Sequence, residues 1–275
     1  MDWSLVLTSQ GIEHTIEHQE ETGWALVVSP TDHERALDHI RLYRLENRHW
    51  RWRRPIFQPG LIFDWRATAW VFLVIIFYWW SEWRPNLRNL GVWDGSALAQ
   101  GEWWRLFTAT WLHADPAHLA LNAVFGLVLL GLSMGVYGPG MGLLAAYLAG
   151  VGGNIASCLV YDAAQHGLGA SGVVMGALGL LAAQSFSHFR RPAANRVRHF
   201  AGGILGGFLL FVMIGTDPEA DVVAHLGGFV AGLLFGLLLM LAPQTMRRPR
   251  ADLAAGILFV TFIVLPWWLA LAQGD

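Results

Sequence analysis

The stretch GLGASGVVMGALGLLAA, residues 167–183, decides how the chain is read. It sets one hydroxyl, Ser171, at the head of an apolar run and among glycines. Six further apolar runs accompany this one. Together the seven lie at about 66–82, 118–137, 141–161, 171–187, 200–216, 222–241 and 252–272. Each approaches the ~20 residues that a helix needs to cross a bilayer. Short links between them exclude independent soluble helices.

Composition agrees. Of the 275 residues, 55% are hydrophobic and 14% charged, and the mean hydropathy is +0.42. A soluble domain carries about 25% charged residues. All 18 strong cations are arginine, grouped in short clusters between apolar runs, which excludes a nucleic-acid-binding surface. One cysteine, Cys158, excludes an internal disulfide and a multi-cysteine metal site. It reads as a buried small side chain. No metal or cofactor is expected. The N-terminus, MDWSLVLTSQGIEHTIEHQEE, lacks a basic start followed by an apolar block, so no cleavable signal peptide is expected.

Three units are expected. Residues 1–60 read as a small soluble α+β domain and basic linker, 61–241 as a six-helix core, and 242–275 as an extra C-terminal span. Within the first, SLVLT and WALVV are strand candidates. A helix follows from Thr31, which has capping-box spacing to Glu34, with Ala36, Leu37, Ile40, Leu42, Tyr43 and Leu45 as its apolar face. His14, His18, His33 and His39 lack a compact ligand pattern and read as solvated. Arginines at 48–54 and 66, at 190–198 and at 247–250 fall on one side of the membrane if the N-terminus is cytoplasmic. The expected topology is N-terminus in, C-terminus out.

Polar groups inside spans are costly and point to function. Span 2 opens HLALN, with His118 and Asn122 four residues apart and so on one helix face. Span 4 opens with Ser171. Span 6 carries VVAHLGGFVAG, with His225 near its start. These three spans run in the same direction, so the three polar positions share one depth. A serine hydroxyl needs a base before it is nucleophilic, and His225 suits that role. His118, the Asn122 amide and the backbone N–H of Ser171 can donate to a developing oxyanion. Gly172 and Gly176, and Gly228 and Gly232, have the small-residue spacing that lets two helices approach closely. Singly, each feature has an ordinary explanation. A serine at a helix start is a cap, a membrane histidine is a satisfied polar contact, and glycine pairs are packing devices.

In this order the residues resemble the rhomboid family of intramembrane serine proteases. The resemblance rests on Gly169-Ala170-Ser171-Gly172, on Ala224-His225 followed by Gly228 and Gly232, on His118 with Asn122, and on Trp104-Arg105 in the loop after span 1. It covers roughly residues 60–241. It implies an all-α membrane protein: a six-helix core with a cavity opening outward, plus a seventh C-terminal span. It implies a Ser171–His225 dyad without an acidic third member. It gives Trp104 and Arg105 a structural role in a loop lying partly in the outer leaflet. Many relatives have an aromatic residue four positions after the serine, packed on the histidine; here that position is Met175.

The expected activity is cleavage of transmembrane segments of other proteins at the cell membrane, with the lipid bilayer and those substrates as partners. A variant of it processes C-terminal tails. A catalytically silent rhomboid-like protein that escorts membrane clients is the alternative of another class, and Ser171 together with His225 argues against it. A transporter would place polar residues at mid-membrane, whereas here they gather at one end.

Overall fold

A computed structural model of the chain describes residues 2–19, 23–46, 63–161, 165–184, 203, 206–207, 221–241 and 249–273. The expected fifth span, the arginines at 48–54, 190–198 and 247–248, and most of the acidic link 216–221 lie outside the described residues. The chain divides into two units, Met1–Gly60 and Leu61–Asp275.

In the first unit, helix α1 (Asp2–Ser9) precedes an antiparallel hairpin of β1 (His14–Gln19) and β2 (Gly23–Val28), and α2 (His33–Glu46) follows. Leu7, Ile12 and Ala36 form its core, with Leu26, Val28 and Ile40 packed on them. WALVV lies in β2 as expected, but SLVLT is helical. A five-residue apolar run fits either period, and the burial of Leu7 against Ile12 and Ala36 selects the helix. The cap of α2 is also displaced. The Ala36 N–H donates to Asp32 O at 2.8 Å, so Asp32, not Thr31, holds the cap position. The Thr31 hydroxyl instead meets that of Ser29 at 2.7 Å. Leu42 and Leu45 are exposed, which narrows the apolar face. His14 is engaged rather than solvated: its ring bonds the Ser4 hydroxyl (2.7 Å) and Ile12 O (3.1 Å).

The second unit is a helical bundle. Its long helices are α3 (Ala67–Trp83), α7 (Pro116–Tyr137), α8 (Pro139–Val160), α9 (Ser171–Gln184), α10 (Val222–Leu241) and α11 (Pro249–Ala272). Between α3 and α7 run the short helices α4 (Pro85–Gly91), α5 (Gly95–Ala99) and α6 (Arg105–Thr108) and the strand β3 (Trp93–Asp94). β3 pairs with β4 (His166–Gly167), just before α9. Among the described residues, α7, α8, α10 and α11 are long and apolar enough to cross a membrane. α3 and the described part of α9 are shorter apolar helices, so fewer full-length spans are described than the seven runs suggest. Exposed apolar side chains on α10 (Leu226, Val230, Leu234, Leu238) recur every four residues, as a lipid-facing stripe does. The chain is a multi-pass membrane protein.

α9 is the centre of the bundle. Every residue from Gly172 to Leu180 is buried, against α10, α8 and α7. Helix direction follows from the contacts. The Ser133 hydroxyl donates to Ala177 O (3.1 Å) and that of Tyr137 to Leu180 O (2.8 Å), so α7 and α9 run in parallel. Gly228 lies against Gly172 and Gly236 against Ala183, so α10 runs with them. α8 runs the other way, since Gly150 meets Val173 while Ala146 meets Gly176, and α11 runs with α8: Gly140 meets Asp252 and Gly256, while Tyr147 meets Phe259 and Phe262. The seventh helix is firmly docked, because the Asp252 carboxylate accepts the Met141 N–H at the start of α8 (2.9 Å).

The connection from α3 to α7 is equally fixed. Trp104 is buried. Arg105 donates to Asn89 O (2.6 Å) and Val92 O (2.9 Å) and pairs with Glu102. Trp111 donates to the Tyr147 hydroxyl on α8 (3.1 Å), and Asn154 of α8 donates to Leu106 O (2.7 Å).

Candidate active site

Because α7, α9 and α10 are parallel, His118, Ser171 and His225, each near the start of its helix, share one end of the bundle. They line one cavity of about 660 Å³ together with Asn122, Met175 and Gly172. Asn154, Asp221, Arg88, Trp93 and His166 also line it.

Each polar residue is positioned by local chemistry. Asp115 caps α7: its carboxylate accepts from Ala117 N (2.8 Å) and His118 N (2.9 Å), and Pro116 starts the first turn. The His118 amide bond, first among the causes, holds the Asp115 carboxyl below the usual carboxylate range. Four residues on, buried Asn122 donates one amide hydrogen to His118 O (3.1 Å). The second hydrogen on that nitrogen is available for a ligand.

Ser171 is half-buried at the first position of α9. It is not the cap. Ala170 O accepts from Val173 N (2.9 Å) and Val174 N (3.1 Å), so Ala170 occupies that place. The ordinary explanation of a serine here is thereby removed. The N–H groups of a helix's first turn have no intrahelical partner and point out from its end.

Gly169 explains the glycine before the Ala-Ser pair. Its φ is +133°, and a Cβ there would stand 2.9 Å from His118 Nε2 and 3.7 Å from Ser171 Oγ. Any side chain would intrude between the histidine and the serine, and the backbone suits glycine alone. The Gly169 N–H donates to Ala109 O at 2.9 Å, tying this turn to the α3–α7 connection.

His225 is buried on the first turn of α10. A Cβ added at Gly228 would lie 2.5 Å from Gly172 O, and one at Gly232 would collide with Gly176 O. The paired glycines therefore bring the helices of Ser171 and His225 together. Met175 is fully buried and lines the cavity one turn after Ser171.

Three contributors escape the sequence patterns. His113 is buried and packs edge-to-face on His118, with ring centroids 5.2 Å apart. Burial, with the nearby His118 second, pushes its imidazole down to about 3, so it supports His118 as a neutral ring. Asn154 and Asp221 reach the cavity through partners distant in sequence, Leu106 and Ser157. A polar residue directly after Trp111 and Leu112 was the available signal for His113; Asn154 and Asp221 gave none beyond their polarity.

The Rhomboid domain profile matches residues 100–242. The chain is 33% identical over 162 residues to RHOMBOID-like protein 5 of Arabidopsis thaliana, covering 58% of this chain and 52% of that protein. It is 35% identical over 158 residues to rhomboid protease GluP of Bacillus subtilis (strain 168), covering 55% of this chain and 30% of the other. It is 30% identical over 193 residues to rhomboid-like protease 3 of Toxoplasma gondii, covering 66% and 72% respectively. The chain spans about half the length of the first Arabidopsis relatives it matches.

Proposed function

The chain belongs to the rhomboid family, and from that premise we propose that it is an intramembrane serine endopeptidase that cuts transmembrane segments of other membrane proteins. The observation that carries this reading is the convergence of Ser171, His225, His118 and Asn122 on one cavity at the common end of three parallel helices.

Ser171 Oγ attacks the scissile carbonyl carbon while His225 takes the hydroxyl proton. The resulting oxyanion accepts hydrogen bonds from His118, from the Asn122 amide and from the Ser171 backbone N–H. His225 returns its proton to the departing amine, and the peptide bond breaks. Water, deprotonated by His225, then hydrolyses the Ser171 ester and restores the hydroxyl. Gly169 leaves room for the peptide beside His118, and Gly172, Gly176, Gly228 and Gly232 hold the helices close. Trp104 and Arg105 support the site through the α3–α7 connection. The site faces the extracytoplasmic side of the cell membrane, with the N-terminal unit in the cytoplasm. The units follow the bounds 1–60, 61–241 and 242–275.

The test is incubation of the purified protein in liposomes with a transmembrane substrate and, separately, with a fluorophosphonate. Cleavage within the membrane segment and labelling at Ser171 are expected. A folded protein that does neither is a silent client-binding relative.

The oxyanion donors rank below the dyad. Asn122→Ala is expected to lower the cleavage rate by about 10²–10³, because the remaining donors persist. His118→Ala falls in the same range. Rates measured beside Ser171→Ala decide: an Asn122 variant as inert as Ser171→Ala, yet normally folded, would overturn the ranking.

A further inference from the structure

The site contains a carboxylate that the dyad chemistry leaves unused. Asp221 immediately precedes α10, four residues before His225, and both residues line the cavity. One of its carboxylate oxygens accepts the Ala224 N–H (2.8 Å), and its carbonyl accepts the His225 N–H (3.1 Å). Its other carboxylate oxygen accepts from the hydroxyl of Ser157 (2.7 Å), which is fully buried on α8. The cap of the His225 helix is thus bolted to a neighbouring helix. A little further along, Gly153 faces Ala224 O so closely that a Cβ would collide with it. The first turn of α10 has no freedom to slide against α8.

Other groups face this position from every side. His118 comes from α7, with Asp115 at its cap; Asn154 comes from α8, where Cys158 also stands near Asp221; Ser171 comes from α9; Arg88 and His166 come from the connecting segments. Among the described residues lining the cavity, Asp221 is the one carboxylate. The other ionisable lining groups beside His225, Arg88, His118 and His166, supply no negative charge.

We propose that Asp221 is a positioning residue for His225: its carboxylate fixes the first turn of α10 against α8 and keeps a negative charge one turn before the imidazole that accepts the Ser171 proton. The inference rests on the dyad reading. When Oγ gives up its proton, His225 becomes a cation in a partly desolvated cavity, and a fixed anion nearby favours that state. The carboxylate is held by two donors, the Ala224 N–H and the Ser157 hydroxyl, and so needs no reorganisation as the charge develops.

Asp221→Asn separates charge from capping, because asparagine caps a helix about as well as aspartate and its amide nitrogen can donate to the Ser157 hydroxyl in place of the lost acceptor. The folded stability should therefore be nearly unchanged. Loss of the charge is expected to move the His225 titration midpoint. The sign is downward, since the cationic form loses its partner. The acidic limb of kcat/KM moves to lower pH by the same amount, and the weaker base costs roughly threefold to tenfold in kcat on the plateau. Ser157→Ala loosens the clamp but keeps the charge, so it should lower the thermal midpoint while leaving the His225 midpoint in place.

The experiment is a titration of the full-length protein in detergent, with ¹³C-labelled histidine followed by NMR and the His225 signal assigned from His225→Ala. It needs no turnover. If the wild type cuts nothing, the endopeptidase reading fails while the titration still reports on Asp221. A His225 midpoint unmoved by Asp221→Asn, whatever happens to the rate, overturns the proposal.

Discussion

Ser171→Ala is expected to lower cleavage of a transmembrane substrate by on the order of 10⁶ while the protein remains folded, which is the scale on which a serine protease loses turnover without its nucleophile. The structure makes the second half of that expectation specific. Ser171 does not cap α9; the carbonyl of Ala170 does. Alanine at the first helical position loses no capping bond and leaves the buried surface of Gly172–Leu180 untouched. A drop in activity therefore cannot be attributed to a disturbed helix start. His225→Ala should be nearly as inert, because without the base the hydroxyl keeps its proton. Rates for both, beside circular dichroism and a thermal melt, decide the matter. Ser171→Ala cleaving within tenfold of the wild type would remove the nucleophile from the scheme.

The helices of the second unit were legible because span length is set by the bilayer and not by tertiary detail. The runs at 118–137 and 141–161 correspond to α7 and α8 within two residues, and 222–241 matches α10. SLVLT carried no such constraint, and its packing on α2 made it helical. The same physics sorts the site. His118, Asn122, Ser171 and His225 stand out since each interrupts an apolar run. His113 and Asp221 sit beside or between spans, where polar residues are commonplace. Asn154 lies inside a run but reads as one more polar residue until Leu106 is seen to accept its amide. Its partner, like Ser157 for Asp221, is fixed by which helices adjoin, and helix adjacency is not written in hydropathy. The glycines are an intermediate case: their four-residue spacing is visible, but their facing surfaces are not.

Those glycines carry the second large effect. Gly232→Val is expected to abolish cleavage and leave little folded protein, and Gly232→Ala to lower the thermal midpoint by several degrees. A Cβ at 232 would collide with Gly176 O, and one at 228 would lie 2.5 Å from Gly172 O. Both obstacles are backbone atoms, which cannot rotate aside. α10 must then retreat from α9, whose buried surface has no slack. Overpacking a well-filled interior costs about 1–3 kcal/mol even where side chains can adjust. The retreat also separates Ser171 from His225, and misplacing reacting groups by about 1 Å costs on the order of 10² in rate. Gly256→Ala on α11 is the control, since the Cβ there finds its nearest neighbour, Gly140 Cα, at an ordinary 3.9 Å. It exchanges a glycine for a better helix former without crowding, so stability should hold or rise slightly. Should Gly232→Ala melt and cleave like the wild type, the close approach of α9 and α10 would not be what holds the dyad together.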